Sequence, residues 1–234
     1  MKKLQAFCTI CGSSFDDNFA SKTIACPDCS SGLRTMELAS GLLGAPGCGY
    51  HVFLRRFARD PAFSKLRLVD MTSDPIIERE LRHLPNYHQI VIGTTAPRAH
   101  WRVRVNTAVS RRPPFQDGSI DVLLVRDMLR VVPDLGVFVR ECFRLLASGG
   151  SLVLQDNYRW PFPDKTTALI AASTDAGTAD PAHAEDNSQI TPAPEIGASL
   201  IGELNNTGFI SYFERPMMSS DPFYRGGFVV GIKS

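Results

Sequence analysis

The sequence predicts an α/β protein with a parallel sheet, preceded by a small metal-knuckle module, and three observations carry that expectation. The stretch from Phe115 to Gln155 reads as strand, helix, turn and strand, with a punctuated boundary at every join. Four cysteines near the start are spaced as two CxxC pairs. The chain has 234 residues with 44% hydrophobic content, enough for one full α/β core and a small appendage.

In chain order, Cys8, Cys11, Cys26 and Cys29 come first, with fourteen residues between the pairs. Each pair lets two thiolates approach one ion from a tight knuckle, and tetrahedral zinc takes four such ligands. Gly12 and Pro27 suit knuckle turns. Four thiolates leave no open position for water or substrate, so the expected zinc is structural. Lys22 is the one basic residue between the knuckles, which favours packing against the main domain over a role in nucleic-acid binding. Residues 1–37 are read as this zinc ribbon and 38–62 as a helical connector. In the connector Gly41, Gly44, Pro46, Gly47 and Gly49 break the first part, and His51 to Asp60 looks helical. Cys48 and His51 have no ligand partners at matching spacing and read as a buried thiol and an ordinary histidine.

Residues 63–234 are read as the main domain. Leu66 to Met71 gives its first strand; Thr72, Ser73, Asp74 and Pro75 then start a helix from about Ile76 to Leu84, with proline in the first turn as a start signal. His88 to Ile92 is the next strand. No acidic residue occurs between Leu81 and Gln116, while Arg82, Arg98, Arg102, Arg104, Arg111 and Arg112 accumulate. There Trp101, Val103 and Val105 alternate with Arg102 and Arg104, as along a strand.

The organising unit follows. Val122 to Val125 is a continuous apolar run with Asp121 at its entrance, as expected of a strand covered on both faces. Phe138, Cys142 and Leu145 share one helix face behind Asp134 as N-cap; Gly149 and Gly150 stop the helix, and Ser151 to Leu154 is the next strand. A crossover of this length implies parallel pairing.

These residues resemble a class I S-adenosylmethionine-dependent methyltransferase of the type 11 kind. In that family a PF-x-D-x-S-F-D block opens strand four and R-x-L-x-x-G-G closes the following helix. Here the blocks stand as Pro114, Phe115, Asp117, Ser119, Ile120, Asp121 and as Arg144, Leu145, Leu146, Gly149, Gly150. With the cysteine pairs, the chain from Cys8 to about Thr166 resembles the subset of such enzymes that carry a zinc ribbon. The resemblance implies a Rossmann-like seven-stranded sheet and S-adenosylmethionine as cofactor, bound weakly. The implied cofactor-binding residues are Asp70, Thr72, Asp74 and Asp121; TSDP stands where the subset has A-P-E-P, and an N-cap without a ligand is the alternative for Thr72 and Asp74.

The chain departs from the family pattern at several points. Ile92 and Gly93 stand where an acid grips the ribose, and Val109 and Ser110 where another holds the adenine amine. Three readings stand for this segment: a backbone pocket that still binds the cofactor, a site changed to an anionic ligand, or a solvated arginine-bearing edge strand. Leu129, Arg130 and Val131 replace an L-E-H triplet, so no general base comes from that position. Asp156, Asn157 and Tyr158 emerge at the carboxyl edge of the sheet, where ligands of open α/β sheets sit; Asp156 and Tyr158 are candidates to orient or deprotonate an acceptor, and a turn-forming pair is the alternative.

Residues 159–198 lack an apolar period and read as a lid or insertion, and His183, Glu185 and Asp186 within it are not read as a metal site. Glu195 to Asn205 resumes a helix before two terminal strands, Phe209 to Glu214 and Gly227 to Lys233. A net charge of +1 gives no global reason for a nucleic-acid partner, and no segment approaches the length of a membrane span. The expectation is a cytoplasmic methyltransferase acting on a small-molecule or saccharide-type acceptor. Its alternatives are a catalytically degenerate relative that binds a partner or an altered ligand, and a zinc-ribbon module for RNA or protein.

Overall fold

In the computed structural model the described residues are 5–16, 25–48, 51–90, 103–105, 108–110, 115–129, 132, 134–156, 193–214 and 227–234. A short hairpin, β1 (Gln5–Phe7) with antiparallel β2 (Ser14–Asp16), opens the chain. The helix α1 (Leu33–Gly44) follows, then the single turn α2 (Leu54–Phe57) and a 3-10 turn at Pro61–Phe63. The main sheet is built from β3 (Leu68–Met71), β4 (Tyr87–Gln89), β7 (Ile120–Arg126), β8 (Leu146–Gln155), β9 (Phe209–Glu214) and β10 (Phe228–Lys233). Its order is β4-β3-β7-β8-β10-β9; the first four strands run parallel, and β10 inserts antiparallel to both β8 and β9. The helices are α3 (Pro75–Leu81) after β3, α4 (Leu135–Leu145) before β8, and α5 (Ala193–Thr207) before β9.

Alternation along the strands divides the core into two layers. Leu68, Val122, Leu124 and Val153 pack with α1, α2 and α3 on one face. Val69, Leu123, Val125, Leu152 and Leu154 pack with α4 and α5 on the other. The four cysteines of the knuckles and Ile10 belong to the first layer, so the ribbon and the sheet share one continuous core. Backbone bonds reinforce the junction: Leu54 and Arg55 donate to the carbonyls of Thr9 and Ile10 at 2.7 and 2.9 Å.

The organising unit has the expected form. Asp134 caps α4 by accepting from the Val137 amide at 2.8 Å, and Phe138, Val139, Cys142 and Leu145 form its buried face. The terminal antiparallel pair and the helix before it are also present. Six strands, not seven, make the sheet among the described residues. Val103–Val105 (β5) pairs instead with Ala108–Ser110 (β6) as a separate two-stranded sheet. Trp101, Arg102, the Ile92–Gly93 position and the 159–192 segment lie outside the described residues.

Local boundaries differ where tertiary contacts take over. The helix after Asp74 ends at Leu81, short of Leu84, and the strand expected at His88 to Ile92 covers Tyr87 to Gln89. His51 to Asp60 is not one helix: its donors at Leu54 and Arg55 are spent on the ribbon, and Asp60 accepts from Ala62 to start the 3-10 turn. The Gly149–Gly150 pair does not stop α4, because β8 begins directly at Leu146. It builds an irregularity inside β8, where the register passes from Ile120↔Leu146 to Val122↔Ser151. A Cβ on Gly150 would lie 2.8 Å from the Ala147 carbonyl oxygen and 3.1 Å from that of Asp121, which leaves room for glycine only.

Gly41 and Gly44 do not interrupt the chain either, since α1 runs through both. Gly41 is buried against the sheet, and a Cβ there would sit 2.9 Å from both the Phe228 ring and a Val153 methyl; at Gly44 it would meet nothing within 4 Å. Opposite outcomes are therefore expected from one substitution in one helix. Gly41→Ala lowers stability because an overpacking cost of about 1–3 kcal/mol outweighs the helix-propensity gain of up to about 1 kcal/mol. Gly44→Ala keeps only the gain, so urea midpoints of the two variants should move in opposite directions.

Candidate functional site

Two sites predicted from sequence can be built from the residues upward. In the first, both knuckles repeat one local design. Cys8 N–H donates to Ser13 O and Gly12 N–H to Cys8 O; Cys26 N–H donates to Ser31 O and Ser30 N–H to Cys26 O, all at 2.9 Å. The fifth residue of each knuckle takes the left-handed conformation, Gly12 at φ 90° and Ser30 at φ 59°. Two residues beyond the second cysteine of each pair stands a serine whose hydroxyl meets sulfur: Ser13 with Cys11 at 3.3 Å, and Ser31 with Cys29 at 2.9 Å and Cys8 at 3.3 Å. The repeat is thus CxxCxS, and the serines are functional residues that the sequence analysis passed over although the doubled spacing displays them.

The knuckles bring four sulfurs within 4.8 Å of one another, with Cys8–Cys29 at 3.5 Å and Cys11–Cys26 at 3.6 Å. A tetrahedral zinc with bonds of about 2.3 Å sets its sulfurs about 3.8 Å apart, so the cluster fits the ion. Burial pushes the Cys26 thiol up to about 12 and raises Cys29 as well. Burial also pushes Cys11 up, but bonds from Ser13, Cys26 and Cys29 outweigh it and bring that thiol down to about 7. Protons must leave for the ion to enter, which couples metal binding to pH. Cys48 and His51 take no part: Cys48 is buried with its thiol pushed up to about 12, and His51 Nε2 meets Asp60 Oδ2 at 2.8 Å.

The second site is the carboxyl edge of the parallel strands. Asp70, next to last in β3, is fully buried and accepts from the Thr72 amide at 2.7 Å and the Tyr87 hydroxyl at 2.7 Å. Desolvation raises its carboxyl above the ordinary value against the pull of those bonds. Thr72 Oγ1 accepts from the Asp74 amide at 3.2 Å, and Ser73 between them is left-handed at φ 53°. Asp74 is the N-cap of α3, accepting from Ile76 and Ile77 at 2.8 and 3.3 Å. Its other oxygen accepts from Thr35 of α1 at 2.7 Å and pairs with Arg126 at the end of β7.

The same edge continues through Asp127, left-handed at φ 54°, which pairs with Arg34 at 2.7 Å. Gln155 ends β8 fully buried; its amide donates to Arg34 O at 2.8 Å and Glu37 Oε2 at 3.3 Å, and its own Oε1 has no partner among the described residues. Asp156 is buried and accepts from the Leu129 amide at 3.1 Å. The structure therefore gathers Asp70, Thr72, Asp74 and Asp156 at one edge, and adds Arg34, Thr35, Arg126, Asp127 and Gln155. Tyr158, Arg130 and Val131 lie outside the described residues.

Asp121, expected at the strand's entrance, stands there and apart from this edge. It stands at the amino end of β7, where its carboxylate takes the Arg67 amide at 2.9 Å and the Arg67 guanidinium at 2.5 and 3.0 Å. Along a strand rising about 3.3 Å per residue, it lies some five residues from Arg126 and the opposite edge. Desolvation pushes its carboxyl up, but the bonds from Arg67 prevail and hold it below the usual carboxylate range.

Residues 45–154 match the family model Methyltransf_11, described as a methyltransferase domain. Among curated proteins no match is found. A SAM-dependent methyltransferase from Methanosarcina mazei is 18% identical, the match covering 73% of this chain and 84% of that one at a TM-score of 0.38. A type 11 methyltransferase from Sulfolobus solfataricus is 15% identical over 74% of this chain and 88% of that one, at a TM-score of 0.38. The DszA carbon methyltransferase is 14% identical over 86% and 53%, at a TM-score of 0.46. Residues 45–154 are thus similar to a methyltransferase domain, and a four-cysteine cluster that fits zinc lies ahead of them. No helix among the described residues is long and apolar enough to cross a membrane.

The cysteine geometry generates a metal prediction. Protein purified without added zinc should carry close to one zinc per chain, read by elemental analysis. Cys26→Ser should lose that zinc and lower the melting temperature, because the knuckles are part of the sheet's own core. A fully folded wild type without metal would refute this.

Proposed function

We propose that the protein transfers the methyl group of S-adenosylmethionine to a small-molecule or saccharide-type acceptor. The observation that carries this reading is the methyltransferase-domain match over residues 45–154, which contains Asp70, Thr72, Asp74, Arg126 and Asp127 of the polar edge. When bound, the cofactor supplies an electrophilic methyl on a sulfonium; the acceptor's lone pair forms the new bond as the methyl–sulfur bond breaks, and its electrons pass to sulfur. Positioning supplies much of the rate in such an in-line displacement, so a strong base is not required.

The fit of the chain's residues to this cofactor is sparse. Asp74 already satisfies two helix amides, Thr35 and Arg126, and Asp70 satisfies Tyr87 and Thr72. Among the described residues the edge has an unpartnered acceptor in Gln155 Oε1, able to accept a hydrogen bond from an amino or hydroxyl group. The left-handed Ser73 turns the backbone of the loop where the resemblance places the methionine end. Asp156 fixes the Leu129 amide and stands at the same edge as a candidate to orient an acceptor. In this reading the cofactor is held by backbone and by a few side chains, with Asp74 shaping the loop through its cap.

A second reading is favoured by that internal satisfaction of Asp70 and Asp74: a degenerate relative that no longer binds the cofactor. Calorimetric titration of the full chain with S-adenosylhomocysteine separates the two. Binding in the high micromolar range is expected, weakened about tenfold in Asp74→Asn, which keeps a cap but loses the charge-assisted bonds. Absence of binding at millimolar ligand, with the wild type folded and zinc-loaded, would support the second reading and overturn the first.

A further inference from the structure

The near-neutral total charge conceals an uneven distribution. Around the turn α2 and the last turn of α3, Arg55, Arg59 and Arg79 gather on one face, with Arg56 beside them. The carboxylate at its centre is Glu80, whose side chain is only 3% exposed. Arg55, Arg59 and Arg79 each reach it at 3.2 Å, while their own side chains stay 42–45% exposed. Desolvation pushes the Glu80 carboxyl up, yet its hydrogen bonds from Arg55 and Arg59 prevail and hold it below the usual range. Three guanidiniums on one buried carboxylate leave a local excess of two positive charges. Arg56, on the wall of the hollow beside them, adds one more and has no salt bridge among the described residues.

Beside this cluster lies an open hollow of about 510 Å³, lined by Phe53, Arg55, Arg56, Arg59, Asp60 and Pro61. Phe53 and Pro61 give it an apolar wall. Asp60 is its one acidic group, and that carboxylate is engaged by His51 at 2.8 Å and by the Ala62 amide at 2.8 Å. Glu78, the other acid of α3, turns toward Gln89 at 3.4 Å. Arg59 is held further by His83 at 2.9 Å, and Glu80 fixes Arg55 and Arg59 from below, so two guanidiniums are oriented before any ligand arrives. Preorganised planar forks match the oxygens of a phosphate, and the ring wall matches a flat or apolar body attached to it.

We propose that this hollow binds an organic phosphate: Arg55, Arg56 and Arg59 take its oxyanion, and its body rests on Phe53. The site is separate from the carboxyl edge, since Glu80 follows Asp74 by six residues, or about 9 Å along α3. The proposal is therefore independent of methyl transfer and does not stand or fall with it.

The probe is phenyl phosphate, titrated calorimetrically into the zinc-loaded full chain at constant ionic strength, with inorganic phosphate and a short oligouridylate as parallel arms. Phenyl phosphate is expected to bind more tightly than inorganic phosphate. Arg56→Ala, at an exposed position outside the Glu80 cluster, should weaken it at least about tenfold without a change in melting temperature. Arg59→Lys keeps the charge but loses the fork, and should also weaken it. Failure of phenyl phosphate to bind at millimolar concentration, or equal binding by wild type and Arg56→Ala, overturns the proposal. So does oligouridylate binding that phenyl phosphate fails to displace, which would assign the face to a nucleic-acid strand.

Discussion

The carboxylate of Asp74 holds together three elements that are far apart in the chain. It caps α3 through Ile76 and Ile77, takes the Thr35 hydroxyl from α1 and pairs with Arg126 at the end of β7. A buried carboxylate is costly unless its oxygens are satisfied, and here every bond comes from a different tether on the edge. The position of α1 over the sheet, the start of α3 and the loop after β3 are thus fixed by one group. Loss of the charge would leave Arg126, which is itself mostly buried, with Asp127 at 3.5 Å as its remaining ion-pair partner among the described residues, so the edge behaves as a unit. That explains how a loop without the family's glycines still keeps a defined shape, with Ser73 and Asp127 holding left-handed conformations on either side.

The cysteine cluster works at a second level. In a free-standing ribbon the metal replaces a core; in this chain Cys8, Cys26 and Cys29 are buried with Leu42, Phe57, Leu68 and Leu124 in one layer. Metal binding energy is then folding energy for the layer that covers one face of the sheet. The Phe53 ring packs close over Gly12, where a Cβ would come within 2.9 Å, and this binds the first knuckle to the turn that carries Arg55 and Arg56. The metal site and the arginine face are therefore mechanically continuous, although their chemistry is separate.

Charge is likewise arranged by the fold and not by composition. A formal net charge of +1 spreads over 25 basic and 24 acidic residues, yet Arg55, Arg59 and Arg79 converge on Glu80. At the amino end of the sheet, Arg67 and Asp121 instead neutralise each other.

The sequence by itself determined the features whose signals are local. Each CxxC knuckle is set by neighbours within six residues, and the βα unit by an apolar run, the Asp134 cap and a helical face. The PF and GG blocks lie within the stretch that matches the methyltransferase family model. Tertiary structure decided what depends on partners distant in the chain. Thr35 and Arg126 meet Asp74 across 39 and 52 positions, and no local pattern announces either contact. Gly41 reads as a helix breaker by propensity, yet it is retained in a helix because Phe228 and Val153 leave no space for a side chain. Asp121 carries a family motif, but strand direction sends it to the edge opposite Asp74. Propensity and spacing act over a few residues, whereas close packing and carboxylate pairing are settled only when remote segments occupy the same volume.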